Sequence, residues 1–164
     1  MSRRALVAVL SSFVAVPMLS GCFISDPVQP PVGVRQEGGV LSIIVPNCPD
    51  DVVKSASVTE MSAAESTHAS SWSAAGFTGD RRRGITLGSR DWSTVQGTYQ
   101  GLTWFDIELE TDRHHYGTVL ESPGNLDKLA SLPKDAFLVD GNVMTAAEYL
   151  ASVSKRFPCP PSTP

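Results

Sequence analysis

Apolar and polar positions alternate most cleanly between Gly101 and Thr111. Phe105, Ile107 and Leu109 share one side of an extended chain; Asp106, Glu108 and Glu110 share the other. This pattern predicts a half-buried strand, joined through Thr111–His114 to a second strand over His115–Leu120. A second hairpin is predicted where Val32–Arg35 and Val40–Val45 flank Glu37-Gly38-Gly39. In its second arm Leu41, Ile43 and Val45 share a face and Ser42 takes the other. Pro46–Asp51 is a dense turn. Val52–Met61 alternates as a strand, with Val52, Ala56 and Val58 on one face beside Lys54, and Val53, Ser55, Ser57 and Thr59 opposite.

Periodicity fails over residues 62–83, which are rich in Ser, Ala and Gly and end in Arg81-Arg82-Arg83. They read as a long surface loop, with room for a short helix over Ala63–His68. Gly84–Ser89 suits a short strand, and Ser89–Gln96 reads as a turn region containing Trp92. Ser122–Asn125 breaks the chain, Leu126–Leu132 allows one or two helical turns before Pro133, and Ala136–Val139 is a buried strand. Thr145 and Glu148 form a capping box opening a helix. Its apolar stripe is Ala146, Tyr149, Leu150 and Val153, Lys155 and Arg156 suit its C-terminal dipole, and Pro158 stops it. Six or seven short strands without βαβ alternation predict a mainly β domain. The expected form is an antiparallel β-sandwich or open barrel with one C-terminal α-helix docked at one end.

The first residues follow a different pattern. Arg3 and Arg4 precede the apolar run Ala5–Leu19, and Leu19-Ser20-Gly21-Cys22 follows. Fifteen residues give roughly 22 Å of helix, short of a ~30 Å hydrocarbon core, and Pro17 shortens it further. A secretory signal fits better than a membrane span. The tetrapeptide resembles the lipobox of bacterial lipoproteins. That resemblance implies cleavage between Gly21 and Cys22 and a diacylglyceryl lipid on the Cys22 thiol. Two acyl chains hold a protein stably at a bilayer where one does not. The alternative is an ordinary signal peptide cut elsewhere. The expected organisation is a signal peptide over 1–21, a lipidated N-terminus and Pro-rich tether over 22–32, and a single extracytoplasmic domain over 33–164.

Charge and cysteines refine this picture. The chain carries 13 basic and 17 acidic residues, and loss of Arg3 and Arg4 with the signal takes the formal charge from −4 to −6. An acidic exterior argues against nucleic acid and broad adhesion to anionic lipid. With Cys22 assigned to lipid, Cys48 and Cys159 remain as an even pair in an oxidising compartment and are expected to bridge, the alternative being two separate thiols. The Asn47-Cys48-Pro49-Asp50-Asp51 turn and the late Cys159 also resemble small actinobacterial lipoproteins of unassigned role.

Candidate chemistry is sparse. Asp106, Glu108 and Glu110 stand about 6.8 Å apart along one strand face, with Trp104 on the same side. They read either as a ligand surface or as the solvated face of a half-buried sheet. Adjacent His114 and His115 point to opposite faces of a strand and so make a poor pair of metal ligands; no metal and no other cofactor is expected. Trp72, Trp92 and Trp104 read as core or rim, the alternative being a stacking platform for sugar or peptide. The chain lacks a Gly-x-Ser-x-Gly elbow and a Ser-x-x-Lys set with its companions, so no catalytic residue is assigned. It is also too short for a two-lobed solute receptor. The expected function is a membrane-anchored envelope lipoprotein acting as a non-enzymatic binding or structural module toward an envelope protein or wall polymer. The alternative is a small enzyme acting on envelope material.

Overall fold

In a computed structural model of the chain, which describes residues 29–61 and 70–159, the first hairpin forms where the pattern places it. β1 (Gly33–Glu37) pairs antiparallel with β2 (Val40–Ile44). Gly38 and Gly39 both take positive φ, 57° and 81°, as a two-residue hairpin turn requires. β3 (Val53–Glu60), β4 (Ser70–Phe77), β5 (Ile85–Thr86), β6 (Trp92–Gly97), β7 (Trp104–Thr111) and β8 (His115–Glu121) follow. α1 (Asn125–Leu129), β9 (Ala136–Val139), β10 (Asn142–Thr145) and α2 (Ala146–Arg156) complete the described chain.

These strands build two five-stranded sheets, ordered β10-β9-β1-β2-β5 and β6-β4-β3-β7-β8, antiparallel throughout. They pack face to face as a sandwich and do not close into a barrel. The interior is built from Val34, Leu41 and Ile43 of the first sheet against Val58, Trp72, Phe105, Ile107 and Leu109 of the second. Two side chains, Trp92 of β6 and Tyr99 just after it, make polar contacts to the first sheet and the segment that follows β5. The Trp92 indole donates to the Thr86 carbonyl at 2.8 Å, and the Tyr99 hydroxyl accepts from the Leu41 amide and donates to the Leu87 carbonyl.

Three expectations about the strands need correction. Part of the supposed loop, Ser70–Phe77, is β4, paired on both edges between β3 and β6. Its Ser, Ala and Gly content hid a strand whose inward residues are Trp72 and Ala74. The notional helix over 63–68 lies outside the described residues. The Ser89–Gln96 turn is a 3-10 turn over Ser89–Asp91 followed by β6, with Trp92 buried. In β3 it is Val53 that joins Ala56 and Val58 in the core, while Val52 is exposed. The register shifts between Val53 and Ser55, and this bulge inverts the alternation at its start.

The helix also sits elsewhere than expected. Tyr149 and Val153 of α2 bury against Ile44, Phe137 and Val139, on the side of the first sheet opposite the sandwich interior. The molecule therefore has three layers, and β2 and β9 are covered on both faces. Gly33 is needed beneath this layer: a Cβ there would lie 2.6 Å from Ile44 Cγ2 and 2.9 Å from Val139 Cγ2. The capping box forms as predicted. The Thr145 hydroxyl accepts from the Glu148 amide, and the Glu148 carboxylate accepts from the Thr145 amide at 2.7 Å.

Candidate functional site

The outer face of the second sheet holds the residues singled out by alternation. Trp104, Asp106, Glu108 and Glu110 project there from β7, and Phe105, Ile107 and Leu109 fill the core behind them. Register extends the face across all five strands. One row runs Thr94–Ala75–Ser55–Glu110–His115, and the next runs Gln96–Ser73–Ser57–Glu108–Gly117. A third joins Thr59, Asp106 and Val119. Small side chains on β3, β4 and β6 leave a shallow trough of about 320 Å³ over Ser55, Ser57, Ser73, Ala75, Thr94 and Gln96. The β7 carboxylates form a ridge along its side.

Trp104 is 37 % exposed and Val119 43 %, so an aromatic and an aliphatic group stand in solvent at one end of the ridge. The Ser55 hydroxyl donates to Glu110 Oε2 at 3.1 Å, and His115 Nε2 lies 3.5 Å from Glu108 Oε1. Burial within the sheet raises the Asp106 carboxyl above its ordinary value; the neighbouring Glu108 adds to this, and the Ile107 backbone and His115 oppose it. The face is thus acidic, with hydroxyl groups to one side.

A second polar cluster lies at the opposite end of β7, and the sequence pattern gave no hint of it. Cys48 and Cys159 are bridged, with Cα atoms 5.3 Å apart, and the turn after Cys48 buries Asp51 completely. Arg81 donates to the carbonyls of Asp51 and Pro46, and its Nη2 lies 3.7 Å from Asp51 Oδ2. The Asp51 carboxylate also meets His114 Nδ1 at 3.4 Å. Thr111 Oγ1 accepts from the amides of Arg113 and His114, which fixes the turn that turns His114 toward Asp51. Burial pushes the Tyr116 hydroxyl up to about 12; the Asp51 charge adds to this and Arg81 opposes it. Arg81, one of three arginines in a row, thus serves this cluster. The available clue was the cysteine pair, which folds the Asp51 turn against the end of α2.

The remaining assignments distribute plainly. Trp72 and Trp92 are core residues, packed edge-to-face with centroids 6.2 Å apart. Cys22 lies outside the described residues. Among the described residues no group of three or more His, Cys, Asp or Glu is arranged to hold a metal ion, and no helix is long and apolar enough to cross a membrane. Comparisons with protein-family models, curated proteins and solved structures return no match.

Proposed function

We propose that this chain is a lipid-anchored, extracytoplasmic binding module whose partner docks on the outer face of the second sheet. The observation that carries this reading is the exposure of Trp104 on the same face as Asp106, Glu108 and Glu110. A carboxylate ridge attracts cationic groups, and an exposed indole supplies contact area with little loss of conformational freedom. The partner is a basic segment of an envelope protein. The hydroxyl-lined trough beside the ridge favours, as a second reading, an extended hydroxyl-rich wall polymer. An enzymatic role has one point in its favour, the Asp51–His114 contact. Against it, Cys48 is oxidised and among the described residues no Ser or Thr lines the neighbouring cavity.

The anchor and the face are tested separately. Cys22→Ala is expected to abolish incorporation of labelled fatty acid and to release the protein from membranes; retained labelling overturns the anchor. For the face, a photo-crosslinker replaces Trp104 in one strain and the exposed Val143 of β10 in another. Crosslinks are expected from position 104 alone, and to disappear when Glu108 and Glu110 are changed to Gln. Equal crosslinking from both positions, or indifference to the carboxylates, rejects the face as the docking surface.

A further inference from the structure

The disulfide end of the sandwich contains a cavity of about 480 Å³. Its charged and titratable lining is one-sided. Arg113, His114, His115 and Arg156 contribute to it, and among the described residues no Asp or Glu lines it. This is unexpected on a chain whose acidic residues outnumber its basic ones, 17 to 13. The walls between these groups are apolar, from Tyr116, Phe157 and the Cys48 side of the bridge. We infer that this cavity binds a phosphate group carried on a small organic body.

Two of these groups, Arg156 and His114, have ring or polar contacts that orient them. Arg156 carries its guanidinium over the Phe157 ring, 5.5 Å from the centroid, which steadies it. The His114 ring is gripped from behind. Its Nδ1 meets Asp51, itself held by Arg81, and its plane lies tilted on Tyr116 with centroids 5.7 Å apart. This leaves Nε2 as the ring's remaining polar atom. His115 is shared with the outer face through Glu108. Two guanidinium groups lining one cavity suit the oxygens of a phosphate, and apolar walls accept what the phosphate is attached to.

Two sources carry such a group: a phospholipid headgroup and a free phosphate or phosphate ester. Gln29 and Pro30 line the same cavity. A lipidated Cys22 would lie seven residues from Gln29, within about 25 Å of extended chain, which favours the headgroup. The phosphate site itself does not depend on that anchor.

The test uses the full chain in zwitterionic micelles, titrated with glycerophosphoglycerol, glycerophosphocholine and inorganic phosphate while the His114 and His115 imidazole resonances are followed. Saturable shifts with glycerophosphoglycerol that exceed those with inorganic phosphate support the site and assign it to a headgroup. The reverse order supports the site and assigns it to a soluble phosphate. Arg113→Gln and Arg156→Gln are each expected to weaken binding about tenfold, the loss of a charge-assisted hydrogen bond, with Arg156→Lys intermediate. Both arginines are exposed, so these variants should keep the wild-type melting transition, which is measured alongside. No saturable shift with any phosphate, or equal binding by the Arg113→Gln/Arg156→Gln double variant, overturns the inference. Either result leaves the fatty-acid labelling of Cys22 as an independent matter.

Discussion

Asp106 stands between Trp104 and Glu108, half-exposed, in a sheet that desolvates it. Its carboxyl is raised, so the folded state holds that proton more tightly than the unfolded chain does. Its contribution to stability therefore falls as pH rises through the window just above the ordinary aspartate value, and the unfavourable part is complete above the raised pKa. Asp106→Asn is expected to flatten this slope and to gain less than about 1 kcal/mol at neutral pH, given solvent screening. Urea unfolding at several pH values checks it; an unchanged slope rejects the account. At this scale the β7 face was legible, because strict alternation assigns every side chain between Trp104 and Thr111. Asp51 and His114 were not. They are 63 residues apart, and nothing local to either marks the other as its partner.

Among the elements, α2 is the one whose limits were written most fully in the chain. Thr145 and Glu148 act three positions apart at its start, and its stop lies directly after Arg156. Thr145→Ala is expected to cost about 1 kcal/mol of stability, read as a lower denaturation midpoint. The Glu148 carboxyl is held below its ordinary value by the Thr145 amide and then the Thr145 hydroxyl. The stabilisation it supplies is thus complete above the ordinary glutamate value and is lost as pH falls through the lowered one. The Thr145→Ala chain should accordingly show a weaker acid dependence; an identical acid limb would reject the capping account. β4 marks the contrast. Its own side chains say little, since Ser, Ala and Gly have weak strand preference. It is a strand because β3 and β6 offer backbone partners on both edges. The bulge in β3 has the same origin: Val53 turns inward because the core on that side is apolar, and the register with β7 yields one residue to allow it.

Across the whole molecule, the Cys48–Cys159 bridge joins the two sides of a 111-residue separation. It holds the end of α2 against the Pro46–Asp51 turn and completes the wall of the cationic cavity. Replacing both cysteines with Ala is expected to cost about 2–5 kcal/mol, measured by urea unfolding. The sandwich interior contains neither sulfur, so it should persist. Hydrogen exchange is expected to rise most after Arg156 and around Asp51, and uniform acceleration across both sheets would contradict this division. The contact of Tyr149 with the first layer adds a second fastening. Its hydroxyl donates to the Pro31 carbonyl at 2.7 Å, and burial raises its pKa.

What the chain alone determined was local or additive: the β-rich class, the Gly38-Gly39 hairpin, the two sides of β7, the capped helix and the pairing of two cysteines. Each follows from periodicity, turn chemistry or a count, which need no knowledge of distant residues. Which strands neighbour which, the recruitment of Ser70–Phe77 into a sheet centre, the laying of α2 over a sheet face and the gathering of Arg113, His114 and Arg156 around one cavity were decided only by the tertiary structure. These depend on burying two faces of the first sheet at once, and that requirement acts between segments too far apart in sequence for either to announce it.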